Sequence, residues 1–360
     1  DTIAAKAYNK IGDIYLDKGL VDTGFKYTKK AYNISCKLKF NYGIATCSND
    51  LGRIFNYMGS QDSALYYFSK AKDYYLILKD SVLIAGMLNN IGVVYKAHGN
   101  ISKALDYYFE SLKIKERLHD TIGIANSYTN IGHLYSDAND TANEIKYHQK
   151  ALALRQAAND IGGIGNSYMS IGLYYDHMGV LEKSKFYFEK GLKISEQMED
   201  EEAVSIACYN LANIYYKQKN LDESVKLYER ALNISRKNNN KEGIATCLEI
   251  LSQIRFEKWD KKTALSMLEE AYDNAIEVDI KELLSSITIK LSEIYDATGN
   301  YKKAYEFHKI HTALKDSLFN QENIRKLTSE GLKYEHEKER IILEKAAKGS
   351  LTKSVFGYTS

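Results

Sequence analysis

The sequence predicts an all-α repeat array: an α-solenoid of eight helix-turn-helix units followed by a longer C-terminal helix. Three observations carry this. One short string recurs every 40 residues, as Ile11-Gly12, Leu51-Gly52, Ile91-Gly92, Ile131-Gly132, Ile171-Gly172, Leu211-Ala212, Leu251-Ser252 and Leu291-Ser292. Within each copy, apolar and small residues fall three and four apart, the spacing of one helix face. The 360 residues also contain no proline, where average usage gives about 18, so the turn chemistry of most β sandwiches is missing. An unbroken register of this kind marks stacked units, none of which can bury its apolar face alone.

Each element follows from local chemistry. Helix A shows its face in Tyr128, Ile131, Gly132 and Tyr135. It ends at Gly19, Gly59, Gly99, Gly179 and Gly299, with Asn139 as the substitute, because these residues tolerate the left-handed conformation just past a helix. Ser60, Asn100, Asp140, Asn220, Asp260 and Asn300 then stand where a new helix needs a capping acceptor. Helix B repeats Ala64, Tyr67, Ala71 and Tyr74, then Ala104, Tyr107, Ser111 and Ile114, then Ser224, Leu227, Ala231 and Ile234. It closes near Asp80, Asp120, Asp160 and Asp200, placed to cap the next helix A. The tyrosine column Tyr15, Tyr95, Tyr135, Tyr175, Tyr215 and Tyr295, with Phe55 once, is expected in the core beside the small residues. The last two complete units drift: Arg255 and Trp259 stand where Tyr and Gly are expected, and Asn274 where a large apolar residue is expected. Trp259 at a helix junction is expected to be a packed anchor, the alternative being an exposed binding hot spot.

Composition narrows function by exclusion. Lys+Arg 49 against Asp+Glu 47 leaves a net charge of +2, which argues against a nucleic-acid surface. No apolar run approaches the ~18 residues of a membrane span. Cys36, Cys47, Cys208 and Cys247 form no CxxC pattern, so no metal site is expected. No cofactor motif stands out either: Gly162-Gly163-Ile164-Gly165 follows no strand and so resembles a phosphate loop only superficially. His133, His148 and His177 fall on different faces or units, and no catalytic residue is expected.

The Leu/Ile-Gly pair with Tyr three further on, followed by Ala and an aromatic in helix B, resembles the tetratricopeptide repeat. The common unit has ~34 residues, so this array is similar to the roughly forty-residue subtype, without the proline that usually closes a unit. The resemblance implies a right-handed superhelix whose concave wall is built by the A helices and binds a protein or extended peptide. On that wall fall Asn49, Arg53, Asn89, Asn90, Asn126, Asn130, His133, Asn166, Asn210 and Asn213. A carboxamide carries an acceptor and two donors, so a ladder of them can pair with peptide backbone without demanding a particular side chain. The same asparagines could instead keep the face soluble or bond the next helix. Family members that clamp a terminal carboxylate do so with clustered Lys, Arg and Asn, whereas Lys6, Lys10, Arg53 and Lys96 form no tight cluster.

The expected organisation is eight units over 1–312, a connector or capping helix over 313–348, and a flexible tail or cloning remnant over 349–360. Leu327, Tyr334 and Ile341 keep a seven-residue spacing that would allow a homodimer, although Gly331 and Lys338 interrupt the seam. The stretch from His308 to Lys345 resembles the connection after the repeat array in Bacteroidetes-type signalling regulators. That likeness implies a non-catalytic binding module from the sensor part of a membrane-linked or cytoplasmic regulator, this chain being a soluble piece of it. The alternative is a stand-alone scaffold that assembles partners.

Overall fold

The structure, a computed structural model, describes residues 1–17, 19–258 and 260–319. Trp259 lies outside the described residues, as does most of the expected connector with its dimer seam and tail. Sixteen helices and no strand are present among the described residues. The A helices are α1 (Thr2–Asp17), α3 (Asn41–Tyr57), α5 (Ser81–Ala97), α7 (Thr121–Asp137), α9 (Ile161–His177), α11 (Glu201–Lys217), α13 (Lys241–Glu257) and α15 (Lys281–Ala297). The B helices are α2 (Val21–Lys37), α4 (Gln61–Leu78), α6 (Ile101–Arg117), α8 (Thr141–Ala157), α10 (Leu181–Gln197), α12 (Leu221–Lys237), α14 (Lys261–Val278) and α16 (301–319). The last of these runs through 312 and 313 without a break. Two compact units form: one holds Asp1–Asp140, with α1 to α7, and the other begins at Thr141, with α8 to α16.

Eight of the expected caps form as the sequence dictates, and one does not. Asp80, Asp120, Asp160 and Asp200 accept from the amides of Leu83, Gly123, Gly163 and Ala203 at 2.9–3.0 Å. Asn100, Asn220, Asp260 and Asn300 cap their B helices in the same way. Ser60 does not: its hydroxyl donates to that of Ser63 instead. The glycines at 162–165 are helix-start residues, and a Cβ on Gly163 would fall 2.0 Å from Asp160 Oδ2. Gly19, Gly59, Gly99, Gly179 and Gly299 all have φ between 70° and 81°. Unforeseen are the ends of the B helices, where Lys39, Lys79, His119, Asn159, Glu199, Asn239 and Asp279 take φ of 50–57° with no glycine among them.

Packing within each helix pair starts from a small-on-small crossing. A Cβ on Gly24 would stand 3.2 Å from the Gly12 carbonyl, and one on Gly92 would stand 3.3 Å from that of Ala104. In the second unit the serine hydroxyls of Ser184 and Ser224 reach across to the carbonyls of Gly172 and Ala212 at 2.9 and 3.0 Å. Over three of the helix A glycines lies a buried ring, Phe68 on Gly52, Tyr108 on Gly92 and Phe188 on Gly172, whereas Gly12 faces Thr28.

Two face assignments are corrected by this arrangement. The buried stripe of helix B is Ala64, Phe68, Ala71 and Tyr75, so Tyr67 and Tyr74 sit half-buried on its flank; Tyr107, Ile114, Leu227 and Ile234 do the same in later copies. The tyrosine column is likewise half-buried except for Tyr295. Its rings lie face to face on a helix B aromatic: Tyr15 on Tyr27, Phe55 on Tyr67, Tyr95 on Tyr107, Tyr175 on Tyr187 and Tyr295 on Phe307, at 5.4–5.7 Å and within 12° of parallel. The aromatic that fills the core is one residue further on, because the seat over the glycine faces position 68 rather than 67.

Gly92→Ala is expected to destabilise by about 1–3 kcal/mol through overpacking, since its Cβ would meet the Tyr108 ring at 2.6 Å. Gly86→Ala, in the same helix but with nothing within 4 Å of its Cβ, should stabilise by about 0.5–1 kcal/mol through helix propensity. Urea titration of both variants checks this, and equal shifts would remove the close crossing as the determinant.

Candidate functional site

In the first unit the A helices present their asparagines to one another. Asn90 donates to Asn49 Oδ1 at 3.2 Å and Asn130 to Asn89 Oδ1 at 2.8 Å, each across 41 residues of sequence. The first rung has a carboxylate: Asn9 donates to Asp50 Oδ2 at 2.9 Å, and Asn49 to Asp50 Oδ1 at 3.3 Å. Four of the expected groove residues therefore bond the next helix, each spending one donor or acceptor in doing so. Arg53 is tied to Asp13 at 3.0 Å and Asp50 at 3.5 Å, which makes it a strut of the wall. Asn126 is exposed on α7, while His133 is half-buried there.

In the second unit Asn166 is exposed on α9 and Asn210 half-exposed on α11. Asn213 does not belong with them: its Oδ1 accepts from the hydroxyl of Tyr228, a core ring. The rung equivalent to the asparagine pairs is ionic further along, where Lys290 meets the buried Glu249 at 2.8 Å.

A concavity opens between adjacent A helices in both units, and sequence reasoning missed it. Between α1 and α3 it has a volume of about 190 Å³ and is lined by Lys6, Asn9, Lys10, Tyr42 and Thr46. Between α11 and α13 it reaches about 540 Å³, with Glu202, Tyr209, Asn210, Glu242 and Thr246 among its lining. Both rest on the same pentapeptide, Gly-Ile-Ala-Thr-Cys, at 43–47 and 243–247. That repetition was the available signal. In each copy the threonine hydroxyl bonds back to the carbonyl four residues earlier, at 3.1 Å for Thr46 and 2.7 Å for Thr246. Burial pushes the Cys47 and Cys247 thiols up to about 12, so both stay protonated and are poor nucleophiles. No group of three or more potential metal ligands occurs among the described residues.

Asp50 makes the first unit sensitive to pH. Its burial pushes the carboxyl up to about 6, against the opposing pull of Asn9 and Arg53. With the folded value above the unfolded 3.8, the native state holds a proton that the unfolded state has lost. Stability from this group is thus present below about pH 4 and drains away as pH rises through 6. Asp50→Asn should flatten that slope, because the amide does not titrate. Denaturant midpoints measured from pH 4 to 7 test this, and an unchanged slope would place the titration elsewhere.

The comparisons with known proteins agree on the repeat. A tetratricopeptide-repeat family model matches residues 83–157 and 204–277, and a second one for the same repeat matches 165–198, together about half of the chain. No curated protein sequence matches. Similar solved structures include the Rap conjugation gene regulator of plasmid pLS20 in complex with the Phr* peptide, at TM-score 0.61 and 15% identity over 91% of this chain and 97% of that one. The apo quorum sensor NprR from B. thuringiensis aligns at 0.60 and 14% over 87% and 88%. A signal-transduction ATPase of the STAND class with a tetratricopeptide repeat sensor, from Pyrococcus horikoshii, aligns at 0.60 and 17% over 91% and 55%. At such identities the likeness establishes the fold, and with the repeat matches it makes this chain a member of the tetratricopeptide-repeat family.

Proposed function

We propose that the chain is a non-catalytic module that binds an extended segment of another protein along its A helices, as the sensor part of a bacterial signalling regulator. The observation that carries this is a set of side-chain amides, half-exposed or exposed, that recurs at three positions of the forty-residue unit on the A helices: Asn49 and Asn89 at one, Asn90, Asn130 and Asn210 at the next, and Asn126 and Asn166 one turn earlier. An amide already paired on one edge keeps hydrogen-bonding capacity on the other, which suits the alternating donors and acceptors of extended backbone. Three proteins of similar fold support the reading by their descriptions: one in complex with a peptide, one a quorum sensor, one carrying a repeat sensor. Arg53 and Asn213 hold the wall in place.

Each amide-to-backbone bond contributes only about 0.5–1.5 kcal/mol, so affinity comes from several together. A peptide selected from a displayed random library on the purified chain should lose at least about ten-fold in affinity on Asn166→Arg combined with Asn210→Arg, read by fluorescence anisotropy. Asp73→Lys, at an exposed position of α4, should leave it unchanged. Equal binding by parent and the double variant would remove the A-helix wall as the site.

A further inference from the structure

The two concavities share a framework but differ in charge. Lys6 and Lys10 line the one between α1 and α3. No lysine, arginine or histidine lines the one between α11 and α13, whereas Glu202 and Glu242 both do. The nearest lysines in sequence are already committed elsewhere: Lys237 pairs with Glu201, and Lys241 with Glu277 at 3.4 Å. Two exposed carboxylates thus look into one cavity with no cation of the chain beside them. The rest of the lining suits a cation as well. Asn210, Asn238 and Ser205 offer oxygen acceptors, and Tyr209 supplies an aromatic ring.

We infer that the α11–α13 cavity receives the guanidinium of an arginine side chain carried by the bound peptide. A guanidinium brings five N–H donors and no acceptor, it pairs with carboxylates through two parallel bonds, and it stacks on aromatic rings. Carboxylates, amide oxygens and a tyrosine together match that pattern. At about 540 Å³ the cavity has room for the whole side chain. This rests on the peptide-binding reading and sharpens it to one side-chain class; the amides would then hold backbone while the cavity selects residue type.

The test uses isoleucine-methyl NMR of the full chain, with Ile206 and Ile234, which line the cavity, as reporters. The probes are acetyl-Gly-Arg-Gly-amide, the same tripeptide with neutral citrulline, and free agmatine. The arginine peptide should shift both methyls, the citrulline peptide should bind at least ten-fold more weakly, and agmatine should bind more weakly than the arginine peptide. Glu202→Gln with Glu242→Gln should cut arginine-peptide binding at least ten-fold at an unchanged melting temperature, while Lys6→Gln with Lys10→Gln should not. Equal binding of citrulline and arginine peptides, or undiminished binding by the glutamine variant, would overturn the inference. So would agmatine binding as tightly as the tripeptide, which would make the cavity a small-molecule site. If a library-selected peptide still depends on Asn166 and Asn210 but ignores Glu202 and Glu242, the cavity assignment falls while the peptide-binding reading stands.

Discussion

The closest contact between the two helices of a pair is made by residues with almost no side chain, and the rest of the unit is arranged around it. At Gly12 with Gly24, or Gly92 with Ala104, backbone meets backbone at van der Waals distance. That approach fixes where the helices cross. It also leaves a shallow seat above the helix A glycine, filled by Thr28 at Gly12 and by Phe68, Tyr108 or Phe188 at Gly52, Gly92 and Gly172. Beside the seat the two flanking aromatics lie flat on each other. Where the small residue becomes Ala212, the filling ring Tyr228 is held by Asn213, so a change of one methyl group coincides with a polar anchor at the next residue.

Because the close crossing lies inside the pair, the contacts between neighbouring A helices can differ in charge from one place to the next while still tying one helix to the next. The same five residues, Gly-Ile-Ala-Thr-Cys, floor a cavity edged by lysines at one place and by glutamates at another. The interhelical rungs vary in the same way, from Asn9 with Asp50 through two asparagine pairs to Lys290 with Glu249. A buried carboxylate such as Asp50 is tolerated there because Asn9, Asn49 and Arg53 surround it.

The sequence carried the helices, their register and nearly all their caps, since glycine, aspartate and asparagine act through local chemistry that needs no tertiary information. It misled by one position in helix B. Tyr67 and Phe68 are both large, and only the location of the glycine opposite decides which is buried. It was silent on the left-handed residues closing the B helices, because Lys79 or Glu199 has no intrinsic preference for that conformation and is held in it by the turn. For the site, the asparagine positions were legible but their partners were not: a residue 41 positions away is invisible to periodicity read along a single helix. The cavity glutamates sit in the first turns of α11 and α13, where acidic residues are ordinary helix starters, so nothing in the linear text separated them from caps.

The paired asparagines have a thermodynamic consequence. Asn90 with Asn49, and Asn130 with Asn89, are joined before any ligand arrives. A segment that needs those same atoms must compete with the chain's own bonds, and its binding would exchange one set for another at little net gain. Tight ligands are then those that use the outward edges of the amides and leave the rungs intact, whereas ligands that break the rungs bind weakly but loosen one A helix from the next. On the peptide-binding reading proposed above, the same row of residues would serve as a passive rail for one class of peptide and as a latch for another.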